Sequence, residues 1–208
     1  MKTKLTDFIV QDDLVLVRPL TFEDRDFYCH IRAQHSMIVR TILSQVKDGG
    51  LQMFQEDVLS DYSFSCLIED VKKDIKVGYI GIHDLRKSVW EIAIELDDAH
   101  VHQGYGSHVL PLFLNELWRV TGHAEYRARV DADNIASQGC MEKIGAKLVG
   151  ICNGIVPMTA EDRVRMEEHF LYLIDDHIKQ LAETIGVEPR KLLSHSLEYR
   201  LTCPLQSH

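Results

Sequence analysis

The chain has no Cys-x-x-Cys pair, and its five cysteines (Cys29, Cys66, Cys140, Cys152 and Cys203) are scattered and odd in number. That distribution excludes a disulfide framework and a cysteine-based zinc site, and suits reduced thiols in the cytoplasm. Long apolar runs are missing as well. No segment approaches the roughly 20 residues that span a bilayer, and residues 1–7 hold no apolar signal core, so no membrane association is expected. Basic residues are in deficit, with 23 Lys and Arg against 32 Asp and Glu, a net charge of -9. Nucleic acid is therefore not an expected partner, because its phosphates need clustered cations. No internal repeat and no low-complexity tract is present.

What is there is ordinary for a globular protein: 45% hydrophobic and 26% charged residues over 208 positions. That is enough to bury a sizeable core as one domain, 1–208. An acidic surface is compatible with a cationic substrate such as an amine, and equally with simple solubility.

Residues 14–20 read as a first strand, and Thr21 is placed to cap a helix with Glu23 and Asp24 in its first turn. Residues 34–60 mix helical and loop signals, with Gly49-Gly50 as a break. Residues 63–68, 75–85 and 89–96 follow as three strands, the first two forming a hairpin across the polar turn 69–74. A glycine loop, an apolar helix, a strand at 125–130, a short helix at 135–144 ended by Gly145, and a strand at 147–152 come next. A helix joining neighbouring strands implies parallel pairing there. An α/β (α+β) fold with a mixed, mostly antiparallel sheet is expected.

Thr159 can cap a long helix in which Met166, Phe170, Ile174, Ile178, Leu181 and Ile185 recur every three or four residues. Gly186 stops it and Pro189 bars its continuation. Residues 159–194 therefore read as a helical insertion before a last strand at 197–203. The apolar stripe suits core packing or a dimer contact, which leaves a homodimer open.

The most informative stretch is His102-Gln103-Gly104-Tyr105-Gly106-Ser107, between the strand 91–96 and the helix marked by Val109, Leu110, Phe113, Leu114 and Leu117. Two glycines let the backbone approach a ligand and aim N–H groups at it. A helix N-terminus adds partial positive charge, so the place suits a phosphate or pyrophosphate. Alone, the glycines are equally those of an ordinary turn. A dinucleotide-binding reading fails: the third glycine and the later acidic strand end are missing, and antiparallel strands precede the motif.

Two segments carry a resemblance. One is Glu91-Ile92-Ala93-Ile94-Glu95-Leu96-Asp97 with Gln103-Gly104-Tyr105-Gly106-Ser107. The other is Val130-Asp131-Ala132-Asp133-Asn134-Ile135-Ala136-Ser137, continuing to Glu142-Lys143-Ile144-Gly145-Ala146. Together they resemble the GCN5-related N-acetyltransferases (GNAT), most closely the branch of the ribosomal-protein alanine acetyltransferases. The resemblance runs from about residue 14 to 150. It implies a V-shaped splay in the sheet, helices on both faces, and acetyl-CoA as acyl donor. Leu96 and Asp97 would then offer backbone groups to the pantetheine arm, and the stretch Val101, His102, Gln103, Gly104, Tyr105, Gly106 and Ser107 would hold the pyrophosphate. Asn134 would bond the pantetheine as it leaves the cleft, with Ser137 near the thioester sulfur. The acceptor pocket would draw on residues 21–60 and the loops near the final strands, with the insertion as a lid or a dimer contact.

Two departures stand out. Val101 and His102 replace the Arg or Gln and the extra Gly common in the family, which leaves phosphate binding to the backbone. Met141 occupies the position of the family's acidic Tyr, as is common in the branch named, so the general acid would be Ser137 or a water. The implied reaction is direct attack of a primary amine, on a small molecule or a protein N-terminus, in a ternary complex. It needs a base and an oxyanion donor. Glu91 is the first choice of base, and Glu95, of the same strand parity, the second. Leu96 lies where the donor is needed. No metal is expected, since His100, His102 and His108 straddle a loop and a helix without a cysteine. Cys140 reads as a small hydrophobe. The competing reading is a catalytically silent acyl-CoA-binding regulatory module.

Overall fold

Short runs of alternating apolar residues build the strands of the first of two units, residues 1–126 with 202–208. In the computed structural model, which describes residues 5–154 and 158–205, these are β1 (Val10–Gln11), β2 (Val15–Pro19), β3 (Phe64–Asp70), β4 (Ile75–Ile82) and β5 (Trp90–Leu96). Part of the 1–7 stretch thus lies outside the described residues. The five strands lie in sequence order with every neighbour antiparallel, as expected for the three around the 71–74 turn. The two-residue β1 is too short to leave a periodic signal.

Strand parity sorts the side chains onto two faces. Phe64 stands opposite Ile82, and Ile82 opposite Ile92. This face meets α4 (Tyr105–Thr121), where the Phe113 ring lies 5.4 Å from Phe8 and 6.2 Å from Phe64. On the other face Leu67 and Tyr79 join Tyr28, Ile31, Phe54 and Val58 in one core cluster. Those partners come from α1 (Arg25–His35), α3 (Gly49–Asp57) and the residue after it. The first unit therefore has helices on both faces of its sheet. Two β4 glycines lie where strands pass too closely for a side chain. A Cβ on Gly78 would fall 2.3 Å from the Glu95 carbonyl oxygen, and one on Gly81 2.5 Å from that of Phe64.

Thr21 caps as expected, through a capping box with Asp24 at a 3-10 turn that runs into α1. Asp24 is only 1% exposed, yet its carboxylate receives Arg18 and Lys76, each at 2.8 Å, and Arg18 reaches on to Glu69 at 3.0 Å. The expected break at Gly49-Gly50 sits elsewhere. α2 (Met37–Gln45) ends before Val46, and Gly49 already opens α3. These glycines serve helix contact: a Cβ would lie 3.0 Å from Ile42 at Gly49 and 3.2 Å from the Cys29 sulfur at Gly50.

The second unit, residues 127–201, contains more than the expected insertion. Here β6 (Glu125–Val130), which starts at the end of the first unit, is followed by α5 (Ile135–Lys143) and β7 (Lys147–Asn153). Then come α6 (Ala160–His169), α7 (Asp176–Ile185), a 3-10 turn at Pro189–Leu193 and β8 (His195–Thr202). β8 lies between β6 and β7 and pairs antiparallel with β7. The single long helix expected over 159–185 is two. Thr159 caps α6 through the Asp162 N–H, but a fresh cap at Asp175, accepting from Ile178 N–H at 2.8 Å, starts α7 as a separate helix. Between them Leu171, Tyr172 and Leu173 make an exposed 3-10 turn. Glu167 of α6 is 1% exposed and pins the 3-10 turn before β8, accepting from Ser194 Oγ at 2.6 Å and Lys191 Nζ at 3.0 Å. No helix among the described residues is long and apolar enough to cross a membrane.

Candidate active site

The glycine loop is built by backbone geometry. After β5 the Asp97 N–H bonds the Val77 carbonyl at 2.9 Å, and the Asp97 carbonyl accepts from His100 N–H at 2.7 Å. His102 then takes φ 59° and Gly104 φ 88°. Those left-handed residues swing the chain into α4, with Gly104 as its N-cap. The helix starts earlier than its apolar stripe suggests, so Tyr105, Gly106 and Ser107 form its first turn. Its first internal bond runs from His108 N–H to the Gly104 carbonyl at 3.1 Å. The three amides ahead of that bond have no carbonyl of their own helix to donate to, which is what an anion-binding helix end requires.

A Cβ on Gly104 would stand in open space, with no atom within 4 Å. The backbone is uncovered at Gly104, and the helix-end amides present fit CoA's pyrophosphate. Side chains contribute less. Gln103 donates to the Ala99 carbonyl at 2.9 Å and Ser107 Oγ to the Gly104 carbonyl at 3.1 Å. Tyr105 is 3% exposed and turns its hydroxyl inward to Asp70 and Lys73. Val101 is half-buried and His102 exposed. Because an L side chain is strained at φ 88°, Gly104→Ala should weaken CoA binding about tenfold, measured by calorimetry, with the helical circular-dichroism signal retained.

Along β5, residues 91, 93 and 95 exchange backbone bonds with β4, so the backbone groups of Ile92, Ile94 and Leu96 point to the opposite edge. Both backbone groups of Asp97 are engaged, so an edge contact to a pantetheine arm falls to Leu96. Its carbonyl also meets the His35 ring at 2.8 Å, at the C-terminal end of α1. Glu91 is buried at 6% exposure, on the face shared with Ala93 and Glu95. Glu95 faces Tyr79 across the register and accepts from Arg32 at 2.9 Å. Burial, with Glu95 alongside, holds the Tyr79 phenol well above its ordinary range. The Arg32 ion pair gives Glu95 the character of a fixed support.

In the second unit Asn134 caps α5, its Oδ1 accepting from Ser137 N–H at 3.0 Å. That leaves the amide Nδ2 for a ligand. Ser137 is half-buried in the first turn. Gln138, one residue on, is buried and donates to the Ala132 carbonyl at 2.8 Å, fixing the strand-to-helix corner. Met141 is a buried packing residue. Burial pushes the Cys140 thiol up to about 11, which disqualifies it as a nucleophile at neutral pH. No cluster of metal-ligating side chains occurs among the described residues. The structure brings Glu91, Glu95, Leu96, Asp97 and residues 101–107 together in the first unit, and Asn134 with Ser137 in the second. Sequence reading missed Asp70, Lys73 and Arg32, because nothing local links a tyrosine to an aspartate 35 residues earlier.

Comparison with known proteins follows the same lines. A family model described as the acetyltransferase (GNAT) domain matches residues 15–147. No curated protein sequence matches the chain. Among solved structures, a GNAT-family acetyltransferase from Bacillus anthracis superposes with a TM-score of 0.61 at 13% identity, covering 94% of this chain and 98% of that one. Spermidine N-acetyltransferase from Vibrio cholerae, in complex with CoA and spermine, gives 0.62 at 10% identity, covering 92% and 96%. Mycobacterium smegmatis RimJ in complex with CoA-disulfide gives 0.55 at 12%, covering 91% and 82%. At such identities these likenesses speak for the fold, while the family model spans well over half of the sequence, strand, glycine loop and helix included. The chain belongs to the GNAT acetyltransferase family and is an acyltransferase.

Proposed function

We propose that the protein acetylates a primary amine, on a small molecule or a protein N-terminus, with acetyl-CoA as donor. The observation that carries this reading is the N-terminus of α4, where left-handed His102 and Gly104 turn the chain after β5 into a helix whose first three amides have no carbonyl of their own helix to donate to. Acetyl-CoA supplies an acetyl group activated as a thioester. The amides of residues 103–107 bind its pyrophosphate, and those of Val101 and His102 border the site. Leu96, with Asp97 at the strand end, orients the pantetheine arm and offers the N–H that polarises the thioester carbonyl. Asn134 Nδ2 holds the arm farther along, and Ser137 supplies a proton near the departing sulfur. Glu91 removes the ammonium proton of the acceptor, directly or through a water, so that the free amine can attack.

A cationic amine suits the net charge of -9. A spermidine N-acetyltransferase with CoA and spermine bound is structurally similar to the chain, in keeping with the small-molecule class of acceptor. The decisive experiment follows thiol release from acetyl-CoA across amines, amino acids, polyamines, aminoglycosides and N-terminal peptides. Steady release with one class is the expected result. CoA binding without turnover on any acceptor would instead identify a silent acyl-CoA-binding module.

A further inference from the structure

We infer that Asp70 and Lys73, on the turn that joins β3 to β4, are positioning residues for the phosphate-binding end of α4 and act through Tyr105. The inference rests on the acetyl-CoA reading above and gives that site a charge-compensated support outside its own loop.

Tyr105 is the first residue of α4, next to the left-handed Gly104, and its ring is buried. Its hydroxyl donates to Asp70 Oδ2 and accepts from Lys73 Nζ at 2.8 Å. The other oxygen of Asp70 accepts the N–H groups of Lys72 and Lys73, each at 2.9 Å. One carboxylate therefore shapes the hairpin turn and holds the helix end. The next turn of α4 is tied to a second hairpin, where His108 Nε2 meets Asp12 Oδ2 at 2.7 Å. Anchored at two points, the three free amides keep one direction, and a rigid donor set binds an anion without first having to be ordered.

Charge gives Lys73 a separate role. An ionised Asp70 beside a phosphate site would repel the ligand. The hydrogen bond from Tyr105, followed by those of the turn, keeps this carboxyl low, at about 2, so it is charged at every working pH. Lys73 Nζ lies 3.4 Å from Asp70 Oδ2 and 5.4 Å from the Tyr105 ring centre, and cancels that charge. Its side chain is 54% exposed, so the compensation acts through solvent and responds to salt. A purely mechanical brace would not.

The test uses the full-length protein with CoA as probe, affinity measured by calorimetry at low and high salt, and thermal midpoints recorded in parallel. Lys73→Met should weaken CoA binding about tenfold at low salt, with the deficit shrinking at high salt, and Lys73→Arg should restore it. Tyr105→Phe should weaken binding to a similar degree. The double variant should be no worse than the weaker single one, because both act through the same hydroxyl. Wild-type affinity in both Lys73→Met and Tyr105→Phe overturns the inference and leaves the acetyl-CoA reading standing. So does a lowered thermal midpoint without loss of affinity, which makes the trio mere packing. A wild-type protein that does not bind CoA overturns the acetyl-CoA reading itself, and this inference with it.

Discussion

Glu91→Gln should lower acetyl transfer by about a hundredfold to ten-thousandfold, the range typical for loss of a general base. CoA affinity should stay as it is. Glutamine keeps the shape and most of the hydrogen-bonding capacity of the side chain, so a residue that is 6% exposed suffers little packing change. What disappears is the ability to take a proton. Thiol release measured over a range of pH, with CoA binding measured separately, isolates that loss. Normal turnover at every pH would remove Glu91 from the role. Glu95→Gln provides the contrast. Its carboxylate is tied to Arg32 at 2.9 Å and backed by Tyr79, so neutralising it should chiefly lower the thermal midpoint. A reversed pattern, with Glu95→Gln inactive and Glu91→Gln active, would exchange the two assignments.

The largest effect on stability is expected at Asp24. Asp24→Asn should cost about 2 to 4 kcal/mol, because breaking a buried ion pair strands the remaining charges. Arg18 would keep its ion pair with Glu69, and Lys76 would lose the one it makes with Asp24. Burial alone would raise the Asp24 carboxyl, but Arg18 and Lys76 hold it well below the usual carboxylate range. A carboxyl lowered in the folded state contributes stability above its unfolded value, about 4, and loses that contribution as pH falls through the folded value. Wild-type urea midpoints should therefore drop steeply below about pH 4, and those of Asp24→Asn more shallowly. Parallel acid profiles for the two proteins would refute the assignment.

The sequence was most legible where function constrains a short segment. Strand, glycine loop, Asn134 cap and Gly145 stop all lie where local chemistry puts them, since φ requirements and cap bonds are properties of a few neighbouring residues. Misreadings occur where tertiary contact decides. Gly49-Gly50 looks like a loop because glycine is a poor helix former, yet it opens α3 so that two helices can approach. The 166–185 periodicity survives the interruption between α6 and α7, because a stripe of side chains does not record whether the backbone beneath it is continuous. The Tyr105 amide reads as a ligand contact from its neighbours, while the partners of its hydroxyl, Asp70 and Lys73, lie more than thirty positions away and leave no local signal.

Gly78 and Gly81 have a consequence for how this chain can change over evolutionary time. Gly78 lies beneath the Glu95 carbonyl of β5 and Gly81 beneath the Phe64 carbonyl of β3, with no room for a Cβ at either, so Gly78 keys β5 to β4 in one register. That key decides which side of the sheet Glu91 occupies. Substitutions along β5 alter its chemistry by degrees. A single inserted or deleted residue would instead exchange the two faces, burying the carboxylates against Phe113 and turning the isoleucines toward Arg32. The strand can vary in letters but not in length.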